Sequence, residues 1–404
     1  MENDIQNSGN IDIIILANGP GELSSYVKPT AEAIKGHAIK TRIIIVLTPC
    51  PYSTGKEEHI ARNIPGVSLV ISSSDFIKWA LLRKSPKNVT FYKKGVVLFM
   101  GGDILYGKIL AKRLKYPAFA YSEAYAKWPK IYKKFFVPDK MAQDKLIRQG
   151  FPKEQIKIVG NLMVDSIILN KSKADIFNIL KLDPKKRLIS FLPGSREFQV
   201  QFTFNFFSKV AKEMTNNNPD FQFAFIVSPY LPEKYIKKHL KNEYLEINGN
   251  KIKMIYSDQH DVIAASDLVI TVPGTNTAEV AIIGTPMIVT FPLASAHLIP
   301  LEGIFQIIGK IPLLGFFFKN FYVKIVQRKT RFFAIPNIKA DKEIVPELTG
   351  NIQPGTVAEK AVVLLDNKDS MAKMRTALKV SLGAPGAADK IAKEILNEII
   401  HKTA

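Results

Sequence analysis

Cysteine occurs once in the 404 residues, at Cys50, so no internal disulfide can form and no cysteine-rich metal site is possible. A reducing, cytoplasmic setting is the simplest reading. The six histidines show no metal-ligand spacing, and only His297 lies near an expected site. No apolar run approaches the ~20 residues needed to cross a bilayer. Glu2 and Asp4 precede the apolar run 11–17, which is the wrong order for a signal peptide. Internal repeats and low-complexity tracts are absent. Gly19-Pro20-Gly21 follows an apolar run, but Ser24 takes the third glycine place of a dinucleotide fingerprint and no acid ends the next run. Thr54-Gly55-Lys56 lacks the first glycine of a phosphate loop, and Glu57 stands where Ser or Thr would be needed. No redox cofactor, no metal and no nucleophile elbow is implied.

Acid is scarce relative to base: 36 Asp and Glu against 56 Lys and Arg, a net charge of +20. That excess suits a polyanionic partner, with an anionic membrane surface or a phosphorylated lipid foremost. Between Lys127 and Lys157 there are nine basic and three acidic residues; between Gly303 and Ala340, seven basic and none acidic. The second stretch is rich in Phe across 305–333. At helical spacing Phe317, Phe318, Phe321, Tyr322 and Ile325 share one side, while Asn320, Lys324, Gln327, Arg328 and Arg331 share the other. The pattern suits an interfacial helix, and equally a core helix with a solvated face. It is no row of stacking platforms, so nucleic acid is not the expected partner.

Apolar residues make up 47% and charged residues 23%, an ordinary globular balance, and the length suits two domains. Apolar runs at 11–17, 43–47, 67–71, 96–100, 118–121 and 135–137 alternate with helical patterns. The rhythm restarts at 188–192 and continues through 223–227, 253–256, 268–272 and 287–290. Continuous Ile, Val and Leu runs predict strands of parallel sheets covered on both faces. The fold class expected is α/β, with two Rossmann-like doubly wound domains facing a cleft and C-terminal helices packing back. We place one domain at 1–170, a polar connection at 170–186, a second domain at 187–354 and a helical segment at 355–404.

Two turns carry most of the chemistry. Leu192-Pro193-Gly194-Ser195-Arg196-Glu197 and Pro273-Gly274-Thr275-Asn276-Thr277-Ala278-Glu279 each join an apolar run to a helical pattern through small residues. Backbone N–H groups at a helix start carry partial positive charge, small residues let an anion approach, and Arg196 can add a bidentate grip on phosphate. Together they can hold a diphosphate. In the first half, Asp103 follows Gly101-Gly102 after the run 96–100, which makes it a candidate general base or the cap of the next helix. Gly19, Gly21 and Glu22 form a loop after the first run.

The two turns, with Pro286-Met287-Ile288-Val289, Pro336-Asn337-Ile338 and Glu343-Ile344-Val345-Pro346-Glu347-Leu348, resemble lipid-A-disaccharide synthase in order and spacing from about Gly160 onward. The resemblance implies transfer of an acylated glucosamine from UDP to an acylated glucosamine phosphate, with inversion and without a required metal. It assigns Ser195 and Arg196 to the diphosphate, Gly194, Gly274, Thr275 and Asn276 to the same donor site, Glu279 to the ribose and Asp103 to the base. It implies work at the inner face of the membrane. The first half departs from the family pattern at Asn18-Gly19-Pro20-Gly21-Glu22 and at Tyr121-Ser122-Glu123-Ala124, so Ser122 and Glu123 join the acceptor-side loop. A UDP-N-acetylglucosamine 2-epimerase is the alternative enzyme, suggested by Gly160-Asn161 ahead of Val164-Asp165. A non-catalytic binder of nucleotide sugar or anionic lipid is the third reading.

Overall fold

The computed structural model describes residues 11–50, 55–82, 85–86, 89–123, 125–217, 220–231, 233–239, 244–247, 250–292 and 331–401. His297 and the aromatic, basic stretch at 305–333 lie outside these residues, apart from Arg331, Phe332 and Phe333. The chain forms two units: Met1–Ser166 with Gly383–Ala404, and Ile167–Leu382.

The first unit is built on β1 (Ile11–Ala17), β2 (Thr41–Leu47), β3 (Val67–Ile71), β4 (Lys94–Phe99), β5 (Ala118–Tyr121), β6 (Tyr132–Val137) and β7 (Ile156–Ile158). Between them run α1 (Pro20–Glu22), α2 (Lys28–Lys35), α3 (Glu57–Arg62), α4 (Ser73–Leu82), α5 (Ile104–Leu114), α6 (Lys140–Arg148) and α7 (Leu162–Ser166). All strands are parallel, in the order β3-β2-β1-β4-β5-β6-β7. Every residue of β1 is buried because both faces are covered. Ile13 and Ile15 join one core, and Ile14 and Leu16 join the other. Asp12, fully buried in β1, is matched by Arg42 Nε at 2.7 Å, the Tyr92 amide at 2.8 Å and the Tyr116 hydroxyl at 3.3 Å. A buried carboxylate with that many partners is structural.

The second unit repeats the plan with β8 (Arg187–Leu192), β9 (Phe221–Ile226), β10 (Tyr244–Ile247), β11 (Asn250–Ile255), β12 (Leu268–Thr271), β13 (Met287–Pro292) and β14 (Glu347–Gly350). Its order is β10-β11-β9-β8-β12-β13-β14, and β10 alone runs antiparallel, to β11. Its described helices are α8 (Lys173–Leu180), α9 (Glu197–Asn217), α10 (Glu233–His239), α11 (Gln259–Ala265), α12 (Thr275–Ile283), α13 (Ile335–Ala340), α14 (Pro354–Asp366) and α15 (Lys368–Ser381). Phe191 stacks with Phe207, Phe223 and Phe225 in the core. The stretch expected as a bare polar connection contains α8. Ser172 and Asp175 form a capping box that starts it, and Ile176 and Phe177 are its buried residues.

The C-terminal helical segment divides between the units. α14 and α15 belong to the second, whereas α16 (Ala387–His401) returns to the first and buries Ile391, Ile395 and Ile399 in the core shared with Ile13 and Ile15. Two devices hold it. Asp165 accepts the amides of Gly386 at 2.6 Å and Ala388 at 2.7 Å, satisfying donors that a helix start leaves open. Glu394 pairs with Lys134 and Lys157, and Glu398 with Lys133, so part of the basic stretch at 127–157 is neutralised internally.

Burial opposes ionisation of Glu394, but its hydrogen bonds and charge contacts with Lys134 and Lys157 outweigh it and hold the carboxyl below an ordinary glutamate near 4.5. A lowered folded pKa adds stability above that pH and loses it as pH falls through the lower folded value. Denaturant titrations of wild type and Glu394→Gln should therefore diverge at neutral pH and converge in acid; a gap unchanged down to pH ~3 contradicts the pairing. Asp165→Ala should cost about 1–2 kcal/mol and speed hydrogen exchange across Ala387–His401. Unchanged exchange there would show that Asp165 is not the anchor.

Candidate functional site

In each sheet the chain adds strands in one direction and then in the other. The reversal lies between β1 and β4 in the first unit and between β8 and β12 in the second. At such a point the connections leave the carboxyl edge to opposite sides, and a crevice opens beyond the strand ends. The turns singled out above are the four connections that follow these strands.

In the second unit, Pro193–Arg196 joins β8 to α9, and Val272–Gly274 joins β12 to α12. The two strands are hydrogen-bonded neighbours, so the turns begin about 4.8 Å apart. Gly194 has φ +108, and a Cβ there would meet the Gln199 side chain. Gln199 Oε1 accepts the amides of Ser195 at 3.2 Å and Arg196 at 3.3 Å, an oxygen placed on the two donors that the anion reading requires. The Thr203 hydroxyl lies 2.6 Å from Pro193 O and 2.7 Å from Gln199 O, tying the turn to its helix. Arg196 is exposed at the helix start.

Gly274 has φ +135 and is the N-cap of α12, with no side chain capping it. Gly274 and Thr275 are exposed, and Asn276 is half-buried. A helix start of this kind has backbone donors and room for an anion. Glu279, a turn further on, lies 3.8 Å from His260 Nε2 on α11, an ion pair only while the imidazole is protonated. His260 is a neighbour that the sequence alone did not disclose.

In the first unit, Asn18 and Gly19 follow β1, and Met100–Asp103 follows β4. The two connections touch: a Cβ on Gly101 would sit 3.1 Å from Glu22 Cγ and 3.2 Å from Asn18 Oδ1. Gly19 lies directly under Glu22 Oε2, and Gly21 has open space around it. Beyond Glu22 the helix widens into a π turn over Leu23–Val27, just ahead of Pro29, whose missing amide breaks the ordinary ladder. Asp103 is exposed, and its Oδ1 accepts the Leu105 amide at 2.9 Å. It therefore caps α5, and its second oxygen remains beyond that bond.

Ser122 is buried, and its hydroxyl bonds the backbone of Tyr125 in a local turn. Glu123 is exposed and accepts the Tyr26 hydroxyl at 2.9 Å. Burial, then the charge of Glu123, holds the Tyr26 phenol protonated well above the ordinary range. The structure thus joins Gly19, Glu22, Gly101 and Asn18 in one cluster, and Glu123 to Tyr26. Ser122 serves its own turn. Gly160 and Asp165, the pointers to an epimerase, are accounted for by α16: Gly160, at φ +111, faces Ala387, and Asp165 caps the helix.

Among the described residues no group of three or more His, Cys, Asp or Glu could hold a metal ion, and no helix is long and apolar enough to cross a membrane.

The model of the lipid-A-disaccharide synthetase family matches residues 149–396. Curated relatives include the lipid-A-disaccharide synthases of Syntrophus aciditrophicus, 24% identical over 59% of this chain and 56% of that protein, and Geobacter metallireducens, 26% over 60% and 56%. The synthase of Cellvibrio japonicus is 24% identical over 84% of this chain and 77% of its own length. The chain spans little more than half the length of the first two. Among solved structures, a Listeria monocytogenes protein assigned as a UDP-N-acetylglucosamine 2-epimerase gives a TM-score of 0.59 at 15% identity, covering 97% of this chain and 98% of that one. The Methanocaldococcus jannaschii UDP-GlcNAc 2-epimerase, in complex with UDP-GlcNAc and UDP, gives 0.53 at 14%, covering 96% and 99%. The likeness shows a fold of two Rossmann-like domains, the GT-B class.

Two glycines separate backbone strain from crowding. Gly274→Ala meets no atom within 4 Å and pays only for its positive φ, of order 1–3 kcal/mol. Gly102→Ala, at φ +93, pays a similar strain and also drives a methyl into Thr48 Oγ1. Denaturation should find Gly102→Ala the more damaging, with partial recovery in a Thr48→Ala background. Equal losses at the two positions would refute the crowding.

Proposed function

The chain belongs to the lipid-A-disaccharide synthetase family, and from that premise we propose that it is an inverting, metal-independent glycosyltransferase. It moves an acylated amino sugar from UDP to a lipid-linked or phosphorylated sugar acceptor. The observation that carries this reading is the pair of glycine turns on neighbouring strands β8 and β12, each opening a helix at the switch point of the second sheet. The amides of Ser195, Arg196, Thr275 and Asn276 and the Arg196 guanidinium bind the diphosphate, with Gly194 and Gly274 allowing its approach. Glu279 binds the ribose hydroxyls. Donor binding exchanges Gln199 Oε1 for a diphosphate oxygen, a neutral partner for a charged and stronger one.

Asp103 is the base. One oxygen is held by the Leu105 amide, and the other takes the proton of the acceptor hydroxyl. The acceptor oxygen, freed of its proton, attacks the anomeric carbon opposite the leaving group, the bond from the carbon to the diphosphate oxygen breaks, and its electron pair leaves with UDP. Amides and guanidinium stabilise the departing charge, the role a divalent cation plays at other phosphate sites. Gly19, Gly21, Glu22, Ser122 and Glu123 form the acceptor side, where this chain departs most from the family pattern. The +20 charge supports peripheral attachment to an anionic membrane at its cytoplasmic face. The epimerase reading has the fold in its favour, but the residues that suggested it are engaged in docking α16.

Purified protein given a panel of UDP-sugars should release UDP only when a lipid-linked or phosphorylated sugar acceptor is added, and a new glycosidic product should form. Epimerised donor without acceptor would establish the alternative. Arg196→Ala should weaken UDP binding about tenfold or more in calorimetry. Asp103→Asn should abolish transfer and leave UDP affinity within about twofold, since the base contributes roughly 10²–10⁴ to rate. UDP binding that is indifferent to Arg196 contradicts the donor assignment.

A further inference from the structure

The turn at Gly274 is held from behind by a chain of hydrogen bonds that begins far along the sequence. Thr277 Oγ1 donates to Gly274 O at 2.8 Å and accepts the Ile335 amide at 3.0 Å. Ile335 is the first residue of α13, and the amides just before it, Phe333 and Ala334, end on the two oxygens of Glu347 at 2.8 and 2.9 Å. Asn337, fully buried, completes the lock. Its amide nitrogen donates to Val345 O at 2.8 Å and Glu347 Oε1 at 2.7 Å, and its oxygen accepts the amides of Ile344 at 2.7 Å and Val345 at 2.9 Å. All four hydrogen-bonding places of that carboxamide are filled.

We propose that Thr277 is a positioning residue for the diphosphate, and that Asn337 and Glu347 hold it in place. The inference rests on the donor site proposed above. At φ +135 the Gly274 backbone is not restrained by a side chain, so the following peptide is held by the hydrogen bonds that Gly274 O accepts, from the Thr277 amide at 3.0 Å and from the Thr277 hydroxyl. That peptide is planar and trans, with its C=O and N–H on opposite sides. Drawing Gly274 O onto the Thr277 amide and hydroxyl together therefore sends the Thr275 N–H the other way, away from the helix interior, where an anion can take it; the hydroxyl is the part of that grip a side-chain substitution removes. The Ile335 amide occupies a lone pair of the same hydroxyl, which leaves its proton for Gly274 O. Thr277 is buried and touches no ligand atom in this scheme; it acts through the peptide it orients.

Calorimetry with UDP on wild type, Thr277→Val and Thr277→Ser tests this, each variant first checked for a cooperative thermal transition. Thr277→Val keeps the branched shape and deletes the hydroxyl; it should weaken UDP binding roughly tenfold. Thr277→Ser restores the hydroxyl and should return affinity to within about threefold of wild type. In transfer assays the valine variant should raise the donor KM and spare kcat, the split expected of lost binding geometry. Should Thr277→Val fail to fold, Thr277→Ala, which adds no bulk, carries the same comparison. Equal UDP affinity in wild type and the hydroxyl-less variant overturns the positioning role while leaving the donor site standing. Absence of UDP binding by the wild type overturns both.

Discussion

A parallel sheet ends all its strands on one edge, and every helix that follows starts there with amides lacking partners inside the helix. That asymmetry is the constraint on which the structure depends. Where strand order reverses, between β1 and β4 and again between β8 and β12, two such starts lie side by side with no strand connection crossing between them. Small residues at these positions preserve the space. The long buried runs of β1, β4, β8 and β12 make the edge rigid, because each strand is covered on both faces and cannot shift register without exposing a row of apolar side chains.

The two glycine turns of the second unit are stabilised by related chemistry from different sources. In the β8 turn the restraint is local: from the first two turns of α9, Gln199 reaches back to two amides of the turn and Thr203 to a carbonyl. In the β12 turn only the first link, Thr277, is local, and the rest is brought in by Ile335, Asn337 and Glu347. Long-range anchoring of this kind couples the β12 turn to the edge strand β14, which contains Glu347. The first unit uses the same principle at another helix start, where Asp165 fixes α16 across the sequence and Glu394 and Glu398 draw in lysines from β6 and β7.

Much of this was legible in the sequence because the signals are local. Runs of Ile, Val and Leu announced β1, β2, β4, β8 and β12, and the small-residue turns after β8 and β12 stand where expected. β7, β10 and β14 escaped because they are short strands at sheet edges, with polar residues among them that read as loop. α8 was hidden by its Lys, Asp and Ser content, although the Ser172 to Asp175 spacing is a capping signal. Asp103 stands at the predicted turn, and its role as a cap was foreseeable from residue type. The partners of Gly160, Asp165, Glu279 and Asn337 were not foreseeable. Each is met by a residue or backbone group brought up by the fold, and no local pattern encodes that meeting.

The central claim is that main-chain donors at the two helix starts of the second unit take the diphosphate. Hydrogen exchange of the intact protein with and without UDP tests it most directly, because it reads those amides themselves. Protection should be confined to the β8 and β12 turns and the first turns of α9 and α12, with the sheet edges unchanged. Protection elsewhere, or none at a UDP concentration that saturates calorimetry, would contradict it.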